Sequence, residues 1–390
     1  MRASLDIFDR AHAYVEHCRR HYSRQPWRAS LSLAWWGLLH SLSREKSSSP
    51  SYGKDLRVAL VLDGGMGDNL LHIRYIRDLC SQCRPFHLDV YSSLSPQIAQ
   101  KLFGGIEHVA SIRNGRVEEN YDLILYSLFV PMTVVCHKER FDKLASRALK
   151  AYVESLERFK AKNPHWFIHQ KYSMAHILSY ARLAEIKREK LPYMTGELPP
   201  KAEEFLELEL PQPVFPWGTR RFVTISRGSG AEQESTKLWP VHSYNKFMSL
   251  LRARFPGVIF VQTGKLYEKK LEADYDLRGK TSVEELAVLM RNAALHISSE
   301  SGTVHLRHLL RGGPSVVFFG PTDPIFYGYE ENCNLRAEDC MPCEWVQLDW
   351  QKNCCRGFGA CRALEALKAE DAVQRILKHP NISETLCKMS

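Results

Sequence analysis

Short apolar runs alternate with amphipathic helical segments over most of the chain. The first run, RVALVL at 57–62, contains no polar break, which is typical of a strand buried in a parallel sheet. A glycine turn and a segment with apolar residues at helical spacing follow it, and LDVYS and YDLILY come next as further strands. This alternation predicts a doubly wound α/β domain that begins near residue 54.

The same alternation returns after a proline-rich stretch at 199–219. RFVTIS, VIFVQTG and the runs at 295–297 and 315–319 predict the strands of a second domain, and residues 267–273 are expected to be helical. The predicted fold is therefore α/β, with two Rossmann-like domains whose ligands lie beyond the carboxyl ends of the strands. The predicted divisions are a helical N-terminal extension at 1–53, a first domain at 54–205, a second domain at 206–362 with a cysteine cluster at 333–361, and a C-terminal helix at 363–390 that packs back on the first domain.

The glycine turn after the first strand reads Asp63-Gly-Gly-Met-Gly-Asp68. It matches a dinucleotide-binding fingerprint only in part, because Leu70 stands where the third glycine is needed, and a dehydrogenase is therefore disfavoured. Asp68 is more informative, since a carboxylate held by a glycine turn at the start of a helix can face a cleft between domains. The alternative is an ordinary first-turn aspartate that interacts favourably with the helix dipole.

Five polar residues, Ser298-Ser-Glu-Ser-Gly302, separate a short predicted strand from the next predicted helix. A hydroxyl-rich glycine turn before a helix presents backbone N–H groups and the positive end of the helix dipole. This arrangement predicts a binding site for a phosphate or diphosphate. The alternative is a turn that only caps the helix.

Composition adds expectations about location and partners. The 390 residues contain no apolar run near the roughly 20 residues of a transmembrane helix, and the first residues lack the apolar stretch of a signal peptide, so a cytoplasmic protein is expected. The formal charge of +9 is concentrated in the N-terminal half, which favours nucleic acid, an anionic membrane or a phosphorylated substrate. Nucleic acid is disfavoured, because the aromatic residues are not interleaved with the basic ones.

Two basic regions each have two interpretations. The N-terminal extension carries Trp35 and Trp36 between arginines, so it is expected either to lie on the inner face of the membrane or to pack on the main body or on a second subunit. The segment 131–200 is basic and is predicted to be helical. It is either a docking surface for an anionic acceptor or a solvated helix face.

The cysteine cluster has the spacing of a metal site. Cys340 and Cys343 form a CxxC pair, and Cys354 and Cys361 supply a second pair, which suits a tetrahedral structural zinc site. Cys355 is an alternative to Cys354 as a ligand. The competing interpretation is a surface loop with reduced thiols.

Several motifs occur in one order along the chain, and together they resemble one enzyme family. They are Gly67-Asp68, Lys237-x-Trp-Pro, Gly279-Lys-Thr-Ser-x-Glu-Glu-Leu, Ser301-Gly302-x-x-His305-Leu and Phe319-Gly-Pro-Thr-Asp-Pro324. The chain is similar to the ADP-heptose:lipopolysaccharide heptosyltransferases, glycosyltransferase family 9. The resemblance covers about residues 56–376 and is most specific in the C-terminal half.

The resemblance implies a glycosyltransferase B (GT-B) fold and an inverting reaction without a catalytic metal, with the acceptor on the first domain and the nucleotide sugar on the second. Asp68 corresponds to the general base, which takes a proton from the acceptor hydroxyl. Lys237 corresponds to the lysine that faces the donor diphosphate. Glu268, a few residues after Gly264, corresponds to a carboxylate that binds the ribose. The expected donor-site residues are Gly67, Arg227, Ser229, Gly264, Glu268, Glu300, Ser301, Gly302, Thr303 and His305.

The resemblance also implies the substrates. The expected donor is ADP-heptose, and the expected acceptor is a lipopolysaccharide core. One alternative is O-heptosyl transfer to autotransporter-type proteins, since a related branch of such enzymes is associated with an iron-bearing cysteine finger, which makes iron an alternative to zinc. Another is a binding protein for a nucleotide sugar or nucleic acid without enzymatic activity. A homo-oligomer formed through the N-terminal extension is a further expectation.

Several positions depart from the family pattern. Glu300 stands where aspartate is usual, and Leu62 replaces an arginine that is common six residues before the general base. Arg307 and His308 replace small residues and are expected to add charge near the donor site. These differences leave the donor sugar and its nucleotide open.

Overall fold

The computed structural model describes most of the chain from residue 54 onwards. The N-terminal extension, with its predicted membrane or subunit contact, lies outside the described residues. The described residues are 54–389 without 116, 118–119, 128–130, 163–187, 194–196, 229–234, 339, 345–349 and 358–359.

The first domain contains a five-stranded sheet with the order β3-β2-β1-β4-β5. Its strands are parallel except for β5, which runs antiparallel to β4. Alternate residues of β1, such as Val58 and Leu60, are fully buried against helices, which accounts for the unbroken apolar run in the sequence. The strands are β1 (Arg57–Leu62), β2 (His87–Ser92), β3 (Val109–Arg113), β4 (Leu123–Ser127) and β5 (Pro131–Val135).

Helices connect and cover this sheet. The glycine turn after β1 leads directly into the first of them, as the sequence predicts, and the CxxC pair Cys80 and Cys83 lies buried in the second. The helices are α1 (Met66–Leu70), α2 (Ile73–Cys83), α3 (Pro96–Phe103), α4 (Lys138–Leu144) and α5 (Arg147–Lys162), and a 3-10 turn covers Arg188–Tyr193.

The second domain contains a parallel six-stranded sheet with the order β11-β10-β9-β6-β7-β8. The prediction of two Rossmann-like domains is confirmed. The strands are β6 (Phe222–Ile225), β7 (Ile259–Gln262), β8 (Tyr275–Asp276), β9 (Leu295–Ser299), β10 (Ser315–Phe318) and β11 (Cys333–Leu335).

Two helices of the second domain begin at residues whose side chains cap them. Ser282 and Glu285 form a reciprocal capping box at the start of α7, in which each side chain accepts a hydrogen bond from the backbone N–H of the other. Asp323 accepts a hydrogen bond from the N–H of Ile325 and caps α9. The helices are α6 (Val241–Arg254), α7 (Val283–Asn292), α8 (Gly302–Leu309) and α9 (Pro324–Tyr327), and a 3-10 turn covers Ser235–Lys237.

The C-terminal tail packs differently from the expectation. It forms α10 (Arg362–Glu365), α11 (Ala369–Lys378) and α12 (Pro380–Cys387), and its apolar residues join the core of the second domain rather than covering the first. Ala372 and Ile376 are fully buried there, and Trp239 donates a hydrogen bond to the carbonyl of Leu367. The apolar residues of α11 pack beside those of α6 in one buried cluster on the second sheet, which is the physical reason for the difference.

The segment 267–273 was expected to be helical, and this prediction is wrong. Gln262 holds the segment in turns instead: its side chain donates to the carbonyl of Lys269 and accepts from the N–H of Leu271. These bonds compete with helical hydrogen bonds, and helical periodicity in the sequence does not reveal them. Over the described parts of the chain, no helix is long and apolar enough to cross a membrane.

The segment between the two sheets is attached to both domains. The buried carboxylate of Asp78 in α2 accepts hydrogen bonds from the backbone N–H groups of Lys201 and Ala202. The N–H of Leu206 donates to the carbonyl of Leu309 at the end of α8. In addition, apolar residues of α7 and α8 belong to the same buried cluster as the core of the first domain. The two domains therefore contact each other through α8.

Candidate active site

The two glycine turns singled out in the sequence contact each other across the domains. A methyl group placed on Gly67 would lie 3.1 Å from the Cα of Gly302 and 2.9 Å from the Cδ2 of His305. One placed on Gly302 would lie 2.9 Å from the backbone nitrogen of Gly67. Real Cβ atoms do not approach backbone this closely, so both positions need glycine. The start of α1 thus contacts the start of α8.

Asp68 folds back over its own turn. Its Oδ2 accepts a hydrogen bond of 2.7 Å from the N–H of Gly65. Gly64 has a φ of +102°, and a Cβ there would lie 2.5 Å from the same oxygen, so only glycine permits this approach. The half-buried carboxylate is therefore held next to the contact between the two domains.

His72 connects the glycine turn to the end of β4 by hydrogen bonds at both of its ring nitrogens. Its Nδ1 donates to the carbonyl oxygen of Asp68 at 2.7 Å, and its Nε2 accepts from the hydroxyl of Ser127 at 2.7 Å. Burial lowers the pKa of His72 to about 4, so the ring is neutral. No sequence pattern singled out this residue. His72 lies four residues after Asp68, close enough along the chain for its ring to reach the carbonyl of Asp68.

The hydroxyl-rich turn before α8 forms a connected network. Ser301 does not cap the helix with its side chain, and its hydroxyl lies 3.2 Å from that of Ser298 and 3.0 Å from that of Thr303. The buried ring of His296 bonds Thr303 on one side and Thr224 on the other. Because the side chains satisfy one another, they leave the positive end of α8 available to an anion.

Lys237, Glu300 and His305 lie together beside this turn. The Nζ of Lys237 lies 2.7 Å from Oε2 of Glu300, and Nε2 of His305 lies 3.8 Å from Oε1. Burial opposes ionisation of Glu300, but Lys237 and His305 outweigh it and hold the pKa of this carboxyl well below its usual range. Glutamate in place of the usual aspartate thus pairs with the lysine that was expected to face the diphosphate.

The position of Lys237 follows from its neighbours. Trp239, two residues later, is fully buried and stacks on Phe318 with ring centroids 4.0 Å apart. The hydroxyl of Thr236 donates to the carbonyl of Trp350 at 2.7 Å. In the motif Lys-Leu-Trp-Pro, the buried Trp239 anchors the short turn to the core of the second domain, and this turn positions Lys237.

A second group of expected donor-site residues lies at the ends of β6 and β7. The carboxylate of Glu268 lies against Gly264 and accepts a hydrogen bond of 2.8 Å from the N–H of Lys265. Burial raises the pKa of Glu268, although backbone N–H groups, including that of Arg227, oppose the rise. Gly228, next to Arg227, contacts Ser298 and Ser299, which joins this group to the turn before α8. Ser229 lies outside the described residues.

Arg307 was expected to add charge near the donor site, and this prediction is wrong. Its side chain lies at the end of α7 instead. The side chain is fully buried and donates hydrogen bonds to the carbonyls of Met290 and Ala293 at the end of α7. Burial lowers the pKa of Arg307 to about 9. A cation is favourable at a helix C-terminus, where unpaired carbonyls collect, so Arg307 is a structural residue.

His308 faces the segment between the domains instead of the donor turn. Its Nδ1 lies 2.6 Å from a carboxylate oxygen of Glu331, and its Nε2 lies 3.5 Å from one of Glu204. Its ring stacks on Tyr329 at 3.7 Å. Tyr329 in turn bonds His305, and no sequence pattern predicted this role. No local pattern reveals a tyrosine that lies 24 positions from its partner.

The cysteines of the cluster lie near one another, but their side chains do not converge on one point. Cys343 forms a side-chain contact with Cys355, and Cys340, Cys354 and Cys361 lie near enough to affect thiol ionisation. Burial raises the pKa of Cys361 to about 11, so its thiol is protonated at neutral pH. Within the described segments no three side chains of His, Cys, Asp or Glu converge as metal ligands. The predicted ligand set of Cys340, Cys343, Cys354 and Cys361 is not supported by this arrangement.

The fold and part of the sequence resemble known proteins. Two Rossmann-like domains are the architecture of the GT-B glycosyltransferases. Residues 166–352 match the model of glycosyltransferase family 9 (heptosyltransferase). Lipooligosaccharide heptosyltransferase 2 of Haemophilus influenzae is 26% identical over 146 residues. That match covers 35% of this chain and 41% of the relative, which is less than half of the relative's length.

Solved structures share the fold. The iron-containing dodecameric heptosyltransferase TibC of enterotoxigenic E. coli, in complex with ADP-D-β-D-heptose, superposes with a TM-score of 0.57 at 14% identity, and the match covers 88% of this chain and 81% of TibC. A glycosyl transferase family 9 protein of Veillonella parvula superposes with a TM-score of 0.51 at 14% identity, over 86% of this chain and 100% of its own. The expected GT-B architecture is confirmed.

Proposed function

We propose that the protein transfers heptose from ADP-heptose to a lipopolysaccharide core acceptor, with inversion at the anomeric carbon. The observation that carries the proposal is the contact between Gly67 and Gly302. It brings the carboxylate of Asp68 on one domain to the start of α8 on the other, where an anion is favoured. A base and a diphosphate site that face each other across a cleft are the two elements that this reaction requires.

Asp68 is the proposed general base. As the acceptor hydroxyl oxygen attacks the anomeric carbon, Asp68 takes the hydroxyl proton. The bond between the anomeric carbon and the diphosphate oxygen breaks, and ADP leaves with the electron pair. The hydrogen bond from Gly65 and the support of His72 keep the carboxylate in place without reorganisation.

The second domain would stabilise the leaving diphosphate. The first N–H groups of α8 and the side chains of Lys237 and His305 offer hydrogen-bond donors on one side, and Lys237 adds a positive charge. Glu300 offsets part of the charge of Lys237 and fixes its position. The ends of β6 and β7, with Arg227 and Glu268, would bind the nucleoside.

Replacement of Asp68 tests the proposal. Asp68→Asn keeps an oxygen that accepts the hydrogen bond of Gly65, but it cannot take a proton at neutral pH. We expect the rate of heptose transfer to fall by at least about a hundredfold while donor affinity stays within about twofold. Transfer is measured by release of ADP, and donor affinity by calorimetric titration.

Asp63→Asn is the matched control. Asp63 lies in the same glycine turn and its Oδ1 accepts a hydrogen bond of 2.8 Å from Gly64, so this variant changes an equivalent carboxylate without removing the proposed base. Activity should remain at the wild-type level. Full activity in Asp68→Asn would remove Asp68 from the mechanism, and selective donor binding without transfer by the wild type would favour a binding protein.

The acceptor is distinguished by direct comparison. Truncated lipopolysaccharide and an autotransporter-type protein are offered separately with the same donor, and glycosylated protein would assign O-heptosyl transfer to a protein.

We place the enzyme in the cytoplasm at the inner face of the membrane, where such a lipid acceptor is built. On the basic segment, Arg140 pairs with the buried Asp122, and Lys138 pairs with Asp142, so these residues serve the fold in part.

The structural metal is a separate proposal, and no step of the reaction depends on it. The thiols of Cys343 and Cys355 contact each other, but a tetrahedral site needs four ligands around one ion. Elemental analysis of the purified protein decides the matter. Zinc or iron at about one equivalent per chain, lost in Cys343→Ser, would support the metal, and its absence would support reduced thiols.

A further inference from the structure

The buried ring of His305 is hydrogen-bonded at one nitrogen and faces a carboxylate with the other. Its Nδ1 lies 2.8 Å from the hydroxyl of Tyr329, and its Nε2 faces Glu300 at 3.8 Å. Its carbon edge lies against Gly67 of the other domain. Only 4% of the side chain is exposed, so small changes in the orientation of the ring would be transmitted to both domains.

These contacts define where the ring carries its proton. Glu300 is ionised, because Lys237 keeps its pKa low. A carboxylate that faces Nε2 favours a proton on Nε2. In the neutral ring, Nδ1 is then the acceptor, and the Tyr329 hydroxyl is the group that donates to it. The N–H at Nε2 then faces Glu300, which lies two residues before the start of α8.

Tyr329 is itself fixed in position. Its backbone carbonyl accepts a hydrogen bond from the side chain of Asn334, and its ring stacks on His308 with an interplanar angle of 11°. Burial opposes protonation of His308, but Glu204 and Glu331 outweigh it and raise its pKa to about 9. A cationic ring against the phenol face makes the phenol a better hydrogen-bond donor.

We propose that Tyr329 is a positioning residue, whose hydroxyl fixes the orientation and the proton position of His305 so that Nε2–H faces the diphosphate of the donor. Tyr329 acts through His305 and does not touch the reacting atoms. This inference rests on the proposed function, because the diphosphate is the group that the N–H would stabilise as ADP leaves.

Kinetics of Tyr329→Phe give the first test. The variant keeps the stacked ring and removes only the hydroxyl. We expect kcat to fall about tenfold with KM for the donor within about twofold, because the N–H matters most when charge develops on the leaving group. Tyr327→Phe is the control, since Tyr327 is a nearby buried tyrosine whose hydroxyl donates to Glu344 at 2.8 Å. It should leave kcat unchanged.

A double variant separates positioning from general stability. Glutamine at position 305 offers an amide N–H whose place does not depend on a ring tautomer. In the His305→Gln background, Tyr329→Phe should therefore change kcat by less than about twofold, although it costs about tenfold in the wild type. An equal loss in both backgrounds would assign Tyr329 a purely structural role and overturn the proposal.

Nitrogen NMR of the histidine rings tests the same claim without substrate. The signals of His305 are assigned by their loss in His305→Gln. We expect a protonated Nε2 in the wild type and a larger share of the Nδ1–H tautomer in Tyr329→Phe. An unprotonated Nε2 in the wild type, or unchanged signals in the variant, would contradict the proposal. If the tautomer shifts as expected but no heptose is transferred, the proposed function fails and the role of Tyr329 in orienting His305 stands.

Discussion

At the scale of single residues, the central feature of this site is the close contact between Gly67 on the first domain and Gly302 on the second. Each lacks the side chain that would otherwise separate the two domains, and the backbone of one lies within contact distance of the other. Glycine is needed at both positions because the two backbones approach closely. The sequence alone does not distinguish this need from a need for backbone flexibility. Asp68 lies next to this contact, so its distance from the donor turn depends on the two glycines.

Gly67→Ala should therefore damage catalysis. The added methyl group would meet Cδ2 of His305 at 2.9 Å and the backbone of Gly302 at 3.1 Å, so the two helix starts must move apart by several tenths of an ångström. We expect at least about a tenfold loss of kcat, with a loss of unfolding free energy of about 1–3 kcal/mol. Transfer kinetics and urea unfolding measure the two effects.

Gly105→Ala is the control for this change. Gly105 is exposed, and an added methyl group would meet no atom within 4 Å. Its activity and stability should match those of the wild type within error. Wild-type activity in Gly67→Ala would show that the contact between the two turns is not needed for transfer.

At the scale of elements, α8 links the donor turn to the segment between the domains. Its first residue contacts α1, its buried Arg307 holds the end of α7, and His308 reaches Glu204. The carbonyl of Leu309 then pairs with the N–H of Leu206. One short helix therefore relates the orientation of the domains to the geometry of the diphosphate site.

The contribution of His308 to the free energy of unfolding depends on pH. Its pKa is raised above the unfolded value of 6.5 to about 9, so the stability it provides is complete below about pH 6.5 and is lost as pH rises through about 9. His308→Gln should therefore lower the unfolding free energy at about pH 6 by about 2 kcal/mol and have little effect at about pH 10. Urea unfolding at both pH values measures the difference.

The exposed His242 on α6 provides the comparison for this experiment. His242→Gln should leave the change in unfolding free energy between the two pH values as it is in the wild type. A loss in His308→Gln that is equal at both pH values would contradict the charged pairing with Glu204 and Glu331 and would indicate lost packing on Tyr329.

At the scale of the whole molecule, local signals predicted much of the fold. Apolar runs identified β1 and β6, and the glycine turn at 63–68 located the start of α1. These features depend on neighbours within one turn or one strand, which a single sequence displays. The turn before α8 was located in the same way.

Features that depend on distant partners could not be predicted. The tail found its place on the second domain because the uncovered apolar surface there is formed by the folded sheet. Arg307 looked like a donor-site charge because its partners, the carbonyls at the end of α7, are adjacent only after folding. Tyr329 and His305 meet across 24 positions. Sequence patterns give residue types, whereas these pairings follow from topology.

The most direct test of the account is a calorimetric titration of the full chain with ADP-heptose beside UDP- and GDP-linked sugars. The account predicts selective binding of ADP-heptose, with an affinity that weakens at least about tenfold in Lys237→Met because a charge partner of the diphosphate is lost. Binding of another nucleotide sugar in preference would keep the glycosyltransferase fold and contradict the heptose donor. No binding of any of them would contradict the proposed enzyme as a whole.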